Sequence, residues 1–357
     1  MRKILLATTA LAAFAGFSSA ANAQITVTLG GYTEFFGAIY DNNLVNGTER
    51  EFQLETEILI KADGKADNGL LYGAKIELQN NAAAGGITTD EASIYLAGFW
   101  GRVELGDFDG AADTLAIYAP LVGVEGIDGD YTDFLTSGLP MGSAIKAPDS
   151  SDATKVMYVT PRVGGFQAGF SYTPENGNEA QAVVTTKNTS NYSDFLEYGI
   201  NYTGNFDGVT VAASATGTSG NGRGGATALK DFSAWQVGGQ VGYAGFKVGG
   251  GYVDAENFNI RTRTDSGDQH VWNAGASYTT GPIAVGLTYA NAEGFKGASY
   301  ADNYEVYGLS GAYTIAPGLL LMSDLMFVDE ELKTGPTATA KTDSDNYVWL
   351  ISTKVSF

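Results

Sequence analysis

The chain of 357 residues contains 48 Gly, 20 Tyr, 18 Phe, 8 Pro, one His and no Cys, with 40 acidic side chains against 20 basic. Without cysteine there is no disulfide scaffold, no Cys-ligated zinc and no thiol nucleophile, and a single histidine leaves no His-rich metal site. The formal net charge of -20 argues against a nucleic-acid partner, because neutralising phosphates takes clustered Lys and Arg.

The chain opens with a short basic stretch, Met1-Arg2-Lys3, then runs apolar or small from Ile4 to Phe17 and reaches Ala21-Asn22-Ala23, a small-x-small cleavage pattern. Residues 1–23 read as a secretory signal peptide cleaved before Gln24, leaving a single domain over 24–357. The apolar stretch is shorter than the roughly 20 residues a transmembrane helix needs. Loss of Arg2 and Lys3 leaves 18 basic against 40 acidic groups, so the mature chain carries -22. No later apolar run is long enough to span a membrane as a helix, which leaves a soluble exported protein or a β-barrel.

From Ile25 onward the apolar positions recur every second residue, the strand period. Ile25, Val27 and Leu29 begin the pattern. Phe52, Leu54, Ile58 and Ile60 alternate with Gln53, Glu55, Glu57 and Lys61, and Tyr72, Ala74, Ile76 and Leu78 with Gly73, Lys75, Glu77 and Gln79. The same period returns at Phe166–Tyr172, Val209–Ala215 and Ile283–Tyr289. A soluble antiparallel sandwich also alternates, but its strands usually run five or six residues and these are longer.

Connections fall into two kinds. Short ones include 63–69, 160–165, Ala244-Gly245, Thr280-Gly281-Pro282 and Ile315-Ala316-Pro317-Gly318. Long polar ones run roughly over 41–49, 80–89, 107–153, 174–191, 217–230, 254–267, 291–301 and 329–344, and all eight prolines are expected in connections. Short turns at one end and long loops at the other describe an outer-membrane barrel. Tyr158, Tyr202, Tyr243, Tyr278, Tyr313 and Phe357 each close a strand before a short turn or the chain end, at spacings of 44, 41, 35, 35 and 44 residues. At about 20 residues per strand, even closure selects 16 strands. Tyr40, Phe195, Trp235, Tyr252, Trp272, Tyr289, Tyr304, Phe327 and Tyr347 lie beside the long loops and are expected to form the second of two aromatic girdles.

In order along the chain, Ala97-Gly98-Phe99-Trp100-Gly101-Arg102-Val103-Glu104-Leu105-Gly106-Asp107, Val156-Met157-Tyr158-Val159-Thr160-Pro161-Arg162-Val163-Gly164-Gly165-Phe166, Tyr313-Thr314-Ile315-Ala316-Pro317-Gly318-Leu319 and the terminal Tyr347–Phe357 resemble the Gram-negative general porins, particularly those of photosynthetic and other alphaproteobacteria. The resemblance implies an all-β fold: a homotrimer of 16-stranded antiparallel transmembrane β-barrels, each with a long third loop folded into its lumen. It also implies residence in the outer membrane among lipid and lipopolysaccharide. The last strand, with Tyr347, Trp349 and Phe357 on one face, resembles the terminal signal read by the outer-membrane assembly machinery.

Sixteen strands enclose more space than side chains fill, so the lumen is expected to hold water, with apolar residues facing lipid and polar ones lining a channel. Glycine on the inner face then leaves room for solvent, or simply lets the sheet curve. The 107–153 segment carries Asp107, Asp109, Asp113, Glu125, Asp128, Asp130 and Asp133, together with Asp149 and Asp152, against Lys146 alone. On the residues alone, a constriction loop inside the lumen and an external flap with solvated charge are equal readings; the resemblance favours constriction. Inward parity offers Lys61, Lys75, Arg102, Lys155 and Lys247 for the opposite wall, but also Glu34, Glu55, Glu57 and Glu77. The basic side is thinner than in the family, and the excess of carboxylates points to mild cation preference.

Other chemistries are weaker. Asp107 and Asp109 begin a spacing like that of a calcium loop, so a structural divalent ion bridging loop carboxylates is conceivable, but the twelfth position is Tyr118 and not the bidentate Glu. No other cofactor is expected. Gly220–Gly225 lacks the strand-to-helix setting of a phosphate cradle. An outer-membrane hydrolase would need a base beside its serine, and His270 shares parity with Trp272 and Tyr278 on the lipid side. Tyr118 and Tyr131 are candidates for an aromatic track in a solute-specific channel. The expected function is passive diffusion of small hydrophilic solutes and ions, without catalysis.

Overall fold

The computed structural model describes residues 25–41, 48–81, 86–135, 145–180, 192–223, 229–260, 267–294, 300–333 and 341–357; the signal segment lies outside the described residues. Sixteen strands follow one another: β1 (Thr26–Asp41), β2 (Arg50–Lys65), β3 (Leu71–Asn81), β4 (Gly86–Gly98), β5 (Gly101–Asp107), β6 (Thr154–Val159), β7 (Phe166–Glu175), β8 (Tyr192–Phe206), β9 (Val209–Gly222), β10 (Phe232–Tyr243), β11 (Phe246–Glu256), β12 (Asp268–Thr280), β13 (Ile283–Glu293), β14 (Tyr300–Ala316), β15 (Leu319–Lys333) and β16 (Lys341–Ser356). Each pairs antiparallel with its sequence neighbours, and β1 pairs with β16 to close the barrel. At the seam Gly31 and Phe357 exchange two backbone hydrogen bonds of 3.1 and 3.0 Å.

Turn chemistry separates the two ends. At Asp207-Gly208 and Ala244-Gly245 both central residues have positive φ (50° and 89°, 49° and 88°), the combination whose twist matches a two-residue hairpin. The long connections lie at the other end. Strands extend further into them than the alternation indicates: β15 runs to Lys333 and β16 starts at Lys341, shortening the expected 329–344 loop. Pro174 falls inside β7 and not in a connection, but it lies beyond Tyr172, the last β7 residue paired with β6, so no ladder bond on that side is lost.

The alternation holds around the barrel. On β16, Tyr347, Trp349, Ile351 and Val355 are exposed while Val348, Leu350 and Ser352 are buried. The girdle at the long-loop end is partly revised. Trp235, Trp272, Phe327 and Tyr347 are exposed on the outer face, whereas Tyr40, Phe195 and Tyr304 have inward parity and are buried.

Those three aromatics are buried because the barrel is not simply filled with water. The 107–153 segment carries a helix, α1 (Ala111–Leu115), and two 3-10 turns, Gly126–Asp128 and Asp130–Phe134, and its described residues run along the inner wall. Ile127, Tyr131 and Phe134 share one apolar cluster with the inward residues Phe36, Ala38, Tyr40, Tyr304, Val306, Met326, Val328, Val348 and Leu350. The inner face of β14–β16 and β1 is therefore largely apolar, contrary to a uniformly polar lining, because it is covered by loop. Inward glycines have a matching role. A Cβ on Gly169 or Gly199 would meet Leu115, on Gly238 Ile117, on Gly275 Ala119 and Pro120, and on Gly286 Val122. These positions make room for loop backbone more than for solvent.

Candidate pore constriction

An irregular segment inside a barrel must satisfy its own backbone groups, and here the wall does so. Ile117 N–H donates to Ser214 Oγ (2.8 Å), Ala119 N–H to Asn273 Oδ1 (2.9 Å), Gly126 N–H to Asp324 Oδ2 (3.0 Å) and Ala147 N–H to Gln236 Oε1 (2.8 Å). Gln240 Nε2 donates to the Tyr118 carbonyl (2.7 Å), and Gln53 Nε2 reaches Asp133 (3.2 Å). In chain order the described part of the loop thus touches β9, β10, β12, β15 and, at Gln53, β2; among the described residues these bonds leave the inner face of β3–β5 as open wall. Glu197, Ser214, Gln236, Asn273 and Asp324 were not picked out from the sequence. Inward parity alone marks them, and parity does not distinguish a loop anchor from a water-facing residue.

Asp113, Glu125, Asp128, Asp130 and Asp133 stand on the loop, with Lys146 2.8 Å from Asp113 and 3.6 Å from Asp128. Tyr118, Leu121, Val122, Glu125, Asp128 and Lys146 line a cavity of ≈ 430 Å³. Burial, then repulsion from neighbouring carboxylates, raises the acids here. Asp109 keeps an exposed side chain, yet partial desolvation and then repulsion from Asp113, Asp149, Asp152 and Glu91 push it to about 8. Asp128 reaches about 7, chiefly through burial and against the pull of Lys146; Asp130 also reaches about 7, through burial, Glu55, Glu125 and Asp133. Burial likewise raises Glu125.

Asp107 stands apart from this group. It ends β5 opposite Thr154, and its two carboxylate oxygens accept from the Thr154 hydroxyl (2.5 Å) and the Ala180 N–H (2.7 Å). It fastens the rim where the loop departs and does not line the constriction, and both oxygens are already engaged, which does not favour calcium shared with Asp109. Among the described residues, the acidic side chains brought to metal-like spacing are instead Glu57, Glu77 and Asp90, with ligand atoms within 4.8 Å of one another.

Three of the cations on the inner face of the strands have close anionic partners. Lys75 pairs with Glu77 (3.1 Å) and with Glu91. Arg102 Nε lies 2.9 Å from Glu104, its guanidinium 3.9 Å over the Tyr95 ring. Lys354, a residue missed although its parity opposes Trp349, pairs with buried Glu34 at 2.9 Å and covers Tyr32 at 3.7 Å; the Tyr32 hydroxyl donates to Glu55. Lys61 and Lys247 are exposed on the inward parity. Lys155 is buried under the loop and does not reach open lumen.

Two further expectations are located. Tyr347, Trp349 and Phe357 are exposed at the outer face of the closing strand. His270 lies outward at the rim, its Nδ1 3.0 Å from Asp254 and 3.2 Å from the Tyr252 hydroxyl.

Comparison with known proteins agrees with this geometry. The model of the Gram-negative porin family matches residues 7–331. A porin of Rhodobacter capsulatus is 26% identical over 165 residues, 43% of this chain and 52% of that protein. An uncharacterized protein of Rickettsia conorii is 24% identical across 89% of this chain and 88% of its own length. Among solved structures, the anion-selective porin from Comamonas acidovorans superposes with a TM-score of 0.65 at 17% identity, covering 94% of this chain and 100% of that one. A mutant of the Rh. blastica porin gives 0.59 at 17% identity, covering 93% and 100%.

Proposed function

Because the chain belongs to the Gram-negative porins and forms an outer-membrane channel, we propose that it passes small hydrophilic solutes and ions by passive diffusion, without catalysis and with a preference for cations. The observation that carries the preference is the unequal pairing of charge in the lumen. Lys75, Lys146, Arg102 and Lys354 are each held by carboxylates, leaving Lys61 and Lys247 as the exposed inward cations against the larger negative charge of Glu55, Glu57, Asp90, Glu125 and Asp130 around the same water-filled space. Like-signed charge between low-dielectric walls concentrates counter-ions. The Comamonas porin is anion-selective by name, so the sign of selectivity rests on each chain's own lumen and not on the shared fold.

The reading includes a homotrimer. β5 and β6 have seven and six residues. At about 3.3 Å per residue and a tilt near 45° they rise only ~16 and ~14 Å, short of the ~25 Å apolar band of such barrels. A face too short to span lipid is suited to lie against protein, here copies of the same chain. A solute-specific aromatic track is less favoured, since Tyr131 is fully buried against Tyr304. Planar-bilayer recording across a salt gradient tests the proposal: conductance in steps of three with a reversal potential favouring cations is expected. An anion-favouring potential removes the selectivity claim, and no conductance removes the channel.

A further inference from the structure

We propose that Lys155 and Glu197 form a two-ended clasp at the neck of the long loop, setting how far the loop stands from the wall and hence the open width of the pore; this rests on the channel reading above. At the neck the outgoing limb, Phe108–Ala112, runs beside the returning limb at Ser150 and Ser151. Lys155 on β6 donates from Nζ to the carbonyl of Phe108 on one limb and of Ser151 on the other. Glu197 on β8 does the converse. It accepts from the Ala112 N–H of the outgoing limb at 3.1 Å, and from both the N–H (3.1 Å) and the hydroxyl of Ser150 on the returning limb. Between them on β7, Ser171 Oγ accepts from the Ala111 N–H at 3.0 Å, and the Thr173 hydroxyl bonds the Ser150 hydroxyl at 3.1 Å.

Both ions are nearly devoid of solvent, at 2% and 0% exposure. Charge-assisted hydrogen bonds in such a place are the strong ones, and leaving a buried charge unpaired is costly. The chemistry is matched to the backbone: the cation gathers carbonyls and the anion gathers N–H groups. Each joins both limbs, so neither limb can shift without stripping an ion of a partner. Gly110 fits the same arrangement, since a Cβ there would sit 1.9 Å from Glu197 Oε2. Of the other anchors, Ser214 and Asp324 accept from loop N–H groups, while Asn273 and Gln236 accept from Ala119 and Ala147 and also donate to the Ile145 carbonyl, at 3.4 Å each; these lie farther along the loop and are uncharged side chains or, at Asp324, a single carboxylate. The clasp differs in standing at the neck, where both limbs leave the wall, and in being built of two buried charged side chains; both residues are positioning residues that act on the pore through the loop.

The test is E197Q in the full-length assembled protein, recorded one channel at a time. Gln keeps the shape and one acceptor but turns a donor toward the Ala112 N–H. The loosened neck is expected to gain about tenfold in population, the equilibrium change for roughly one charged hydrogen bond. That gain is read as occupancy of sub-conductance and closed levels at fixed voltage. S150A, which keeps the backbone bond, is expected to move the same readout by a smaller factor. Reversal potential stays unchanged, because the loop carboxylates remain on the loop; a merely structural role would lower thermal stability without altering gating. Unchanged level occupancy in assembled E197Q, or in S150A if E197Q does not assemble, overturns the clasp. A shifted reversal potential with normal gating overturns it as well. Failure of the unsubstituted protein to conduct would count against the channel reading and not the clasp.

Discussion

A methyl group added at Gly238 probes how closely the loop is seated. The Cβ of Gly238→Ala would stand 1.7 Å from the Ile117 carbonyl oxygen and 2.7 Å from its carbon. Ordinary C···O contact begins near 3.3 Å, so the loop must withdraw by about 1.6 Å, and the barrel wall behind Gly238 leaves only the lumen to move into. Two hydrogen bonds flank the contact, Ile117 N–H to Ser214 and Gln240 to the Tyr118 carbonyl. Overpacking of this kind costs about 1–3 kcal/mol, and loss of both bonds adds ~1 kcal/mol each, so the seated loop should lose on the order of 3–5 kcal/mol. Gly275→Ala and Gly286→Ala provide internal standards, with first contacts at 3.2 and 3.1 Å, where a few tenths of an ångström suffice. Single-channel conductance and exclusion of neutral polymers are expected to fall clearly in G238A and little in the other two. Equal conductance across the series, or a larger loss in G275A, would refute the claim that these glycines make the loop's seat.

Cation preference should rise with pH, because carboxyl groups held near 7 to 8 at Asp109, Asp128 and Asp130 are neutral in acid and ionise as pH climbs through that window. Reversal potentials between pH 5 and 9 check this, with most of the change expected between about 6 and 8. The linked effect on stability has the opposite direction. Raised folded-state values make the seated loop most stable in acid, with stability declining as pH rises from the ordinary carboxylate value near 4 to the raised ones. Lys354→Met removes the partner of buried Glu34 and should cost on the order of 2 kcal/mol, less than the 3–5 of a fully buried pair because the lysine is partly solvated; thermal unfolding shows the loss, and the reversal potential moves toward cations. Deleting Phe357 removes the two bonds to Gly31 that finish the β1–β16 seam, and the yield of folded barrel, seen by its resistance to mobility change on heating in gels, should drop.

The barrel was legible because its signal is repeated sixteen times: period-2 alternation, short turns at one end, and a terminal Phe at the closing strand each restate the same architecture. Inward parity placed Glu34, Glu55, Glu57, Lys61, Lys75, Glu77, Arg102 and Lys247 on the inner wall. Parity has only two values, however, and the structure has three environments: lipid, water, and the space beneath the loop. Tyr40, Phe195 and Tyr304 read as girdle residues because aromatics near loops usually are, yet their parity is that of Phe36 and Glu197, and burial beneath long connections is what suits a ring there. Lys155 has the same parity as Met157 and Val159, and nothing local separates a lysine in water from one roofed by backbone carbonyls. Asp107 reads as a loop residue, since the strand's end at an acid-rich run is invisible until Thr154 and Ala180 are brought to it.

The uneven wall ties these features to conduction. From β6 round to β1 the barrel is lined by loop, with glycines admitting the backbone and an apolar cluster under the tip. Over β3 to β5, among the described residues, it is a single layer whose charges face the lumen. A single layer holds charged inner residues most safely where its outer side is not lipid, and the shortest strands, β5 and β6, adjoin this part. Their exposed outer neighbours Phe52, Leu54, Ile87 and Ile94 offer apolar surface to a second copy of the chain. If the trimer contact lies there, ions pass between a protein-backed charged wall and a loop whose carboxylates have few cations to share. The width of the passage then depends on the loop's anchors and its selectivity on the loop's protonation: anchor substitutions alter conductance at constant reversal potential, whereas raising the pH moves the reversal potential and weakens the loop's seat together.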